Sequence, residues 1–160
     1  MKIKIKEIYK YFSKNPVFKV SAKILLLIYL SHLFYLVFIS SYYGRGFVHR
    51  NYNLIPFKTI SEFLFFSHNM KAILRNIGGN IAAFIPMGFL LPLAFSKLNK
   101  YTKVFATILT ATLFIEISQF IFGVGTFDVD DVILNFIGGI FGYKIYSFFY
   151  IIPHRTINRS

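Results

Sequence analysis

Four apolar runs, 24–40, 77–95, 104–122 and 132–150, decide what this chain can fold into. A bilayer core about 30 Å thick takes roughly 20 helical residues at about 1.5 Å of rise each. Within lipid every backbone N–H and C=O must be paired inside its own segment, so each run is expected to be a helix. The shortest run, 24–40, has Lys23 placed to snorkel at one end and Tyr42 and Tyr43 placed to anchor the other. Composition agrees: 56% of the 160 residues are hydrophobic and 15% are charged, against about 25% charged in a soluble domain. The expected fold class is an all-α integral membrane protein, a compact bundle of four transmembrane helices.

The net charge of +12 would suggest nucleic acid in a soluble protein. Here the basic residues cluster outside the apolar runs, with Lys144 late in the fourth run and able to snorkel inward, which fits orientation and attraction to anionic lipid and leaves no case for a nucleic-acid partner. Residues 1–23 carry seven Lys, the link 96–103 carries Lys97, Lys100 and Lys103, and the C-terminal end carries Lys144, Arg155 and Arg159. The link 123–131 has no basic residue, and the longer link 41–76 has five. This asymmetry places both termini in the cytoplasm and the links 41–76 and 123–131 outside. With no Cys in the chain, neither a disulfide framework nor a thiolate metal site is available.

The expected organisation is a basic interfacial segment 1–23, a transmembrane domain 24–152 and a short cytoplasmic tail 153–160. In the first segment Lys2, Lys4, Lys6, Lys10 and Lys14 alternate with apolar residues, a pattern suited to lipid headgroups. The run 24–40 is long for a signal-peptide core, and residues 38–42 lack a small-x-small cleavage pattern, so it reads as an uncleaved anchor. The first outer link carries Leu54-Ile55-Pro56-Phe57, then Ile60, Phe63 and Leu64 at helical spacing. That pattern predicts a short amphipathic or re-entrant segment on the outer surface. Pro86 and Pro92 are expected to kink the second span. Gly78 with Ala82, Gly79 with Ala83, and Gly138 with Gly142 form small-residue faces, which packing alone explains.

The polar residues that remain map to one leaflet. Asn53 and Pro56 fall in the outer link, and Arg75, Asn76 and Asn80 at the outer start of the second helix. Glu116 and Gln119 lie near the outer end of the third, and Asp128, Asp131 and Asn135 begin the fourth. The pairs Glu116/Gln119, Asn76/Asn80 and Asp131/Asn135 are three or four residues apart, so each shares a helix face. Glu116 lies about seven residues, on the order of 10 Å, inside its span. A carboxylate at that depth costs roughly 2.5–3.5 kcal/mol on insertion scales and needs hydrogen-bond partners, a proton or a water-filled cavity. Asn80, Gln119 and Asn135 are the partners within reach.

Plainer roles stand beside these. Asp128 or Asp130 can cap the fourth helix, Asn76 the second, and Gln119 can act as interhelical glue. His32 reads as a packed polar contact, and His49, His68 and His154 lack metal-ligand spacing. No cofactor motif is present.

Asn53-Leu54-Ile55-Pro56-Phe57, Asn80 with Phe84-Ile85-Pro86-Met87-Gly88-Phe89, Glu116-x-x-Gln119, and Asp128-Val129-Asp130-Asp131 with Asn135 and Gly138-Gly139 together resemble the VanZ-like family. The resemblance runs from about Asn53 to Tyr146 and keeps the order of the motifs. It implies a multi-pass protein of the bacterial cell membrane, in a family named for resistance to the glycopeptide teicoplanin. By resemblance Pro56, Asn80, Pro86, Glu116, Gln119, Asp128, Asp131 and Asn135 occupy the family's polar and turn positions, with less weight on Asp130.

Three functions follow as expectations. The first is a non-catalytic envelope protein that alters access to, or binding of, a lipid-linked cell-wall precursor or a glycopeptide. There a phosphate would meet helix N-termini, Arg75 and adjacent Gly amides. The second is a membrane-embedded enzyme using Glu116, Asp128 and Asp131, with a divalent cation or with Glu116 as general base. The third is a transporter or accessory subunit, for which four short helices enclose little volume without an oligomer.

Overall fold

The computed structural model describes residues 15–40 and 51–150; the basic segment 1–14, the link 41–50 and the tail 151–160 lie outside the described residues. The first helix, α1, runs Pro16–Phe34. Asn15 caps it, its side chain accepting from Val17 N–H at 2.9 Å, and Pro16 sits at the first helical position, where its missing N–H costs nothing. The helix therefore starts ahead of the apolar run, with Lys19 and Lys23 already helical. Apolar periodicity marks what lipid covers, whereas the cap marks where helix begins. At its far end α1 widens into a π-helical turn, Tyr35–Ile39.

A two-residue strand β1, Tyr52–Asn53, leads to a short helix α2, Lys58–Ser61, continued by a π-helical turn Glu62–Phe66. Leu54, Ile55, Phe57, Leu64, Phe65 and Phe66 are all exposed there. The second span, α3, is Met70–Ala94 and contains a π-helical turn at Leu74–Gly78. Asn69, not Asn76, caps it, accepting from Lys71 and Ala72 N–H. The helix passes through Pro86 and Pro92 without a break, so its departure from α geometry falls earlier than the prolines. Pro86 cannot bond the Ala82 carbonyl. At the next carbonyl, Ala83, the Tyr29 hydroxyl donates at 2.7 Å and ties α1 to α3.

After a 3₁₀ turn, Ser96–Leu98, come α4, Tyr101–Phe122, and α5, Val129–Tyr150. Gly123 ends α4 at φ 66°, a left-handed conformation that glycine adopts without penalty. Between α4 and α5 the strand β2, Phe127–Asp128, pairs in parallel with β1, Tyr52 opposite Phe127 and Asn53 opposite Asp128. The ladder joins the two loops at one end of the bundle.

Among the described residues four helices, α1, α3, α4 and α5, are long and apolar enough to cross a membrane, and their outer surfaces carry exposed Leu, Ile, Val and Phe. The bundle is an all-α four-span membrane fold. Its core joins Leu26 and Leu33 of α1, Phe84 and Leu91 of α3, Val104 and Ile108 of α4, and Tyr143 and Tyr146 of α5. α3 and α5 form the centre, where a Cβ on Gly138 would overlap the Ile81 carbonyl, one on Gly142 the Ile85 carbonyl, and one on Gly88 the Gly139 carbonyl. A Cβ on Gly139 would strike the Ile108 side chain of α4. Gly78 has open space around it and makes no such approach. α1 is peripheral, with 17% of its span buried, and His32 is exposed on it beside Tyr35 rather than packed.

Candidate functional site

The loop end of the bundle is held by a clamp of carboxylates. Asp128 is the N-cap of α5: its Oδ1 accepts from Asp130 N–H at 2.9 Å. The same carboxylate accepts from Asn53 Nδ2 at 3.0 Å and from the Thr59 hydroxyl at 2.6 Å. Asp130, fully buried at 0% exposure, reaches across to α2, its two oxygens accepting from the backbone N–H groups of Phe57 and Ile60. Phe57 stands at φ 65°, a left-handed conformation that costs a non-glycine residue roughly 1–2 kcal/mol. The Asp130 contacts, the β1–β2 ladder and the Asn53 side chain together hold it there. Three carboxylates in the first residues of α5 also face the positive end of its helix dipole.

Beneath the clamp lies a cavity of about 270 Å³. Asn76 and Asn80 reach it from α3, Glu116 and Gln119 from α4, and Asp128, Asp131 and Asn135 from the start of α5; Gly125 and Thr126 of the loop, Leu33 of α1 and Val37 of the turn after it also line it. Glu116 is 3% exposed, and its Oε2 accepts from Asp128 N–H at 3.2 Å, which ties the depth of α4 to the cap of α5. The amide nitrogens that the sequence offered as its partners donate elsewhere: Asn80 to Asp131, Gln119 to the Val37 carbonyl at 3.1 Å, and Asn135 to the Thr112 hydroxyl at 2.9 Å. Asn76 Oδ1 is buried without a donor. Val37 and Asn76 both sit on π-helical turns, which recur at functional sites because they re-aim a side chain or carbonyl out of the regular ladder.

The structure divides the polar residues that the sequence singles out. Asn76, Asn80, Glu116, Gln119, Asp128, Asp131 and Asn135 share the cavity. Asn53 belongs to the clamp, Pro56 is exposed on the turn before α2, and Arg75 is exposed and outside the lining. Asp128 commits both carboxylate oxygens to Asn53, Thr59 and the Asp130 N–H. Among the described residues no three His, Cys, Asp or Glu side chains gather as a metal site would require. Among the described residues no Lys, Arg, His or Ser lines the cavity. The described wall offers carboxylates, side-chain amides and the Thr126 hydroxyl.

Sequence reasoning gave Asp130 less weight, as a possible cap of the fourth helix, and passed over Thr59 and Thr112. Thr112, Glu116 and Gln119 fall at i, i+4 and i+7, so the helix period alone points Thr112 to the same face. For Asp130 no local signal was available, because its partners are backbone groups in a loop some seventy positions away.

A profile of the VanZ/LLP1 family matches residues 26–150. The chain is also similar to Protein VanZ of Enterococcus faecium, 35% identical over 133 residues that cover 81% of this chain and 75% of the relative. No solved structure matches it.

Proposed function

This chain belongs to the VanZ/LLP1 family, and on that premise we propose that it is a bacterial envelope protein contributing to teicoplanin-type glycopeptide resistance. In this reading it acts without catalysis, by altering access to, or binding of, a lipid-linked cell-wall precursor at the outer leaflet. The observation that carries the proposal is the cavity of about 270 Å³, in which residues from three helices, Asn80, Glu116, Asp131 and Asn135 among them, share one space at the loop end of an otherwise apolar bundle. Burying that many polar groups within lipid reach is costly unless a ligand or water uses them. The distribution of Lys and Arg supports placing that end outside and both termini in the cytoplasm.

Teicoplanin susceptibility of a host expressing Glu116→Gln tests the reading. The substitution keeps the side chain's size and an oxygen able to accept from Asp128 N–H, so the protein accumulates normally and protection falls. Full protection from an equally abundant Glu116→Gln protein would remove the carboxylate from the mechanism. Orientation is checked independently with single cysteines at positions 98 and 125, labelled from opposite sides of the membrane; the chain has no native Cys to interfere.

A further inference from the structure

The segment between β1 and α3 carries most of its large apolar side chains on the outside. Leu54, Ile55, Phe57, Leu64, Phe65 and Phe66 are exposed, the last two at 78% and 77%, while Ile60 and Phe63 are half-buried. Clusters of exposed large apolar groups mark contacts with protein or membrane. Three observations identify the cover here as lipid. The first is height. Both oxygens of Asp130 accept from the N–H groups of Phe57 and Ile60, so the start of α2 is pinned level with the first turn of α5. The spanning part of α5, Val129–Phe149, has 21 residues, ~32 Å of helix and close to one hydrocarbon core, so its first turn marks the edge of that core. The second is continuity: exposed apolar residues run on through Met70 and Leu74 into α3, whose length and composition already set it in lipid. The third is charge. Lys58 and Lys71 are exposed on either side of Leu64, Phe65 and Phe66, placed to reach headgroups while the apolar groups between them go deeper.

We propose that residues 54–66 form a wedge that inserts Leu64, Phe65 and Phe66 among the acyl chains of the leaflet at the loop end of the bundle, at a depth set by Asp130. On the orientation proposed above, that leaflet is the outer one. α2 has four residues and its π-helical turn five, too few to enter the core and return, so the segment stays at the core's edge. The wedge and the cavity share one residue. Asp128 accepts from Asn53 and the Thr59 hydroxyl and also lines the cavity, which ties the position of the wedge in the leaflet to the cavity wall. The proposal is independent of what the cavity binds.

The chain has no Trp, so a single introduced Trp is a unique reporter. Phe65→Trp and Phe66→Trp, each in the full chain, are placed in phosphatidylcholine nanodiscs containing lipid brominated either near the headgroup or near the chain end. Both proteins emit in the blue range, are quenched more by bromine near the headgroup than by bromine near the chain end, and are poorly quenched by aqueous iodide. Phe114→Trp, exposed well inside α4, shows the reverse preference between the two lipids. Adding Asp130→Ala to Phe65→Trp removes most of the preference, because the wedge loses its fixed depth. Asp130→Asn keeps one acceptor, gives a smaller loss, and serves if the Ala chain fails to fold. Strong iodide quenching without bromine quenching overturns the proposal in favour of a loop in water. Quenching by neither overturns it in favour of a protein cover, whether residues 41–50 or a second copy. An unchanged depth in both Asp130 variants overturns the role given to that carboxylate. None of these readouts depends on teicoplanin protection, so failure of the wedge and failure of the resistance reading are told apart.

Discussion

The interface between α3 and α5 is built in two opposite ways along its length. From Ile81 toward the terminal end the helices meet backbone to backbone, with Gly138 on the Ile81 carbonyl, Gly142 on the Ile85 carbonyl and Gly88 on the Gly139 carbonyl. One residue before Ile81 the contact changes character: Asn80 bonds Asp131, and the cavity opens among α3, α4 and α5. The contrast shows how a four-helix membrane protein keeps a polar space open. Without a hydrophobic force between helices in lipid, association relies on close van der Waals contact, and small residues supply it. The glycine half sets the distance and angle of the pair, and the polar half is spread by side chains that would gain nothing by collapsing. The clamp above it, Asp128 and Asp130 on β1 and α2, closes the far side.

The strongest way to break this contrast is to give the tight half a side chain. Gly142→Leu puts a branched group where even a methyl overlaps the Ile85 carbonyl, so α3 and α5 must separate. The expected loss exceeds about 3 kcal/mol, the upper range for overpacking, because backbone cannot move aside as a side chain can. Denaturant titration in detergent should show little or no folded bundle, and a variant that melts like the parent would refute the close approach.

Next in size is removal of the clamp. Asp130→Ala orphans the N–H groups of Phe57 and Ile60 and releases the left-handed turn, at a cost of about 2–4 kcal/mol. Limited proteolysis would detect the release: the link 53–66 becomes cleavable while α3–α5 contacts, followed by a disulfide engineered across them, persist. Simultaneous loss of both would show that the two halves are not separable.

The smallest effect comes from the polar half itself. Thr112→Val keeps shape and deletes the acceptor for Asn135 Nδ2, with an expected cost of about 1–2 kcal/mol. Thermal melting of this variant measures it directly. A near-zero cost would mean that water takes the hydroxyl's place, which would itself place water in the cavity.

Much of the molecule was legible from particular residues. The four apolar runs located four spanning helices, since lipid leaves the backbone no other way to satisfy itself. The same-face pairs Asn76/Asn80, Glu116/Gln119 and Asp131/Asn135 all line the cavity, because helical period is a local property that tertiary packing does not alter. Two local readings went astray, and one irregularity went unforeseen. Asn76 looked like a cap, but Asn69 stands seven residues earlier in the cap position. Pro86 and Pro92 drew attention in α3, but nothing in the sequence announced the π-helical turn at Leu74–Gly78. His32 looked packed, but it is exposed on α1.

The amino-acid order by itself determined that this is a multi-pass helical membrane protein, which faces of its helices are polar, and which small residues are free to meet. Those properties follow from lipid's intolerance of unpaired backbone and from a period of about 3.6 residues per turn. Only the tertiary structure decided what each carboxylate is set against. Asp128 and Asp130 hold a loop, while Glu116 and Asp131 face the cavity. Neighbouring acidic residues in the chain are chemically alike, and the groups that distinguish them, the N–H groups of Phe57 and Ile60, Asn53, Thr59 and Asn80, reach them only when the chain has folded.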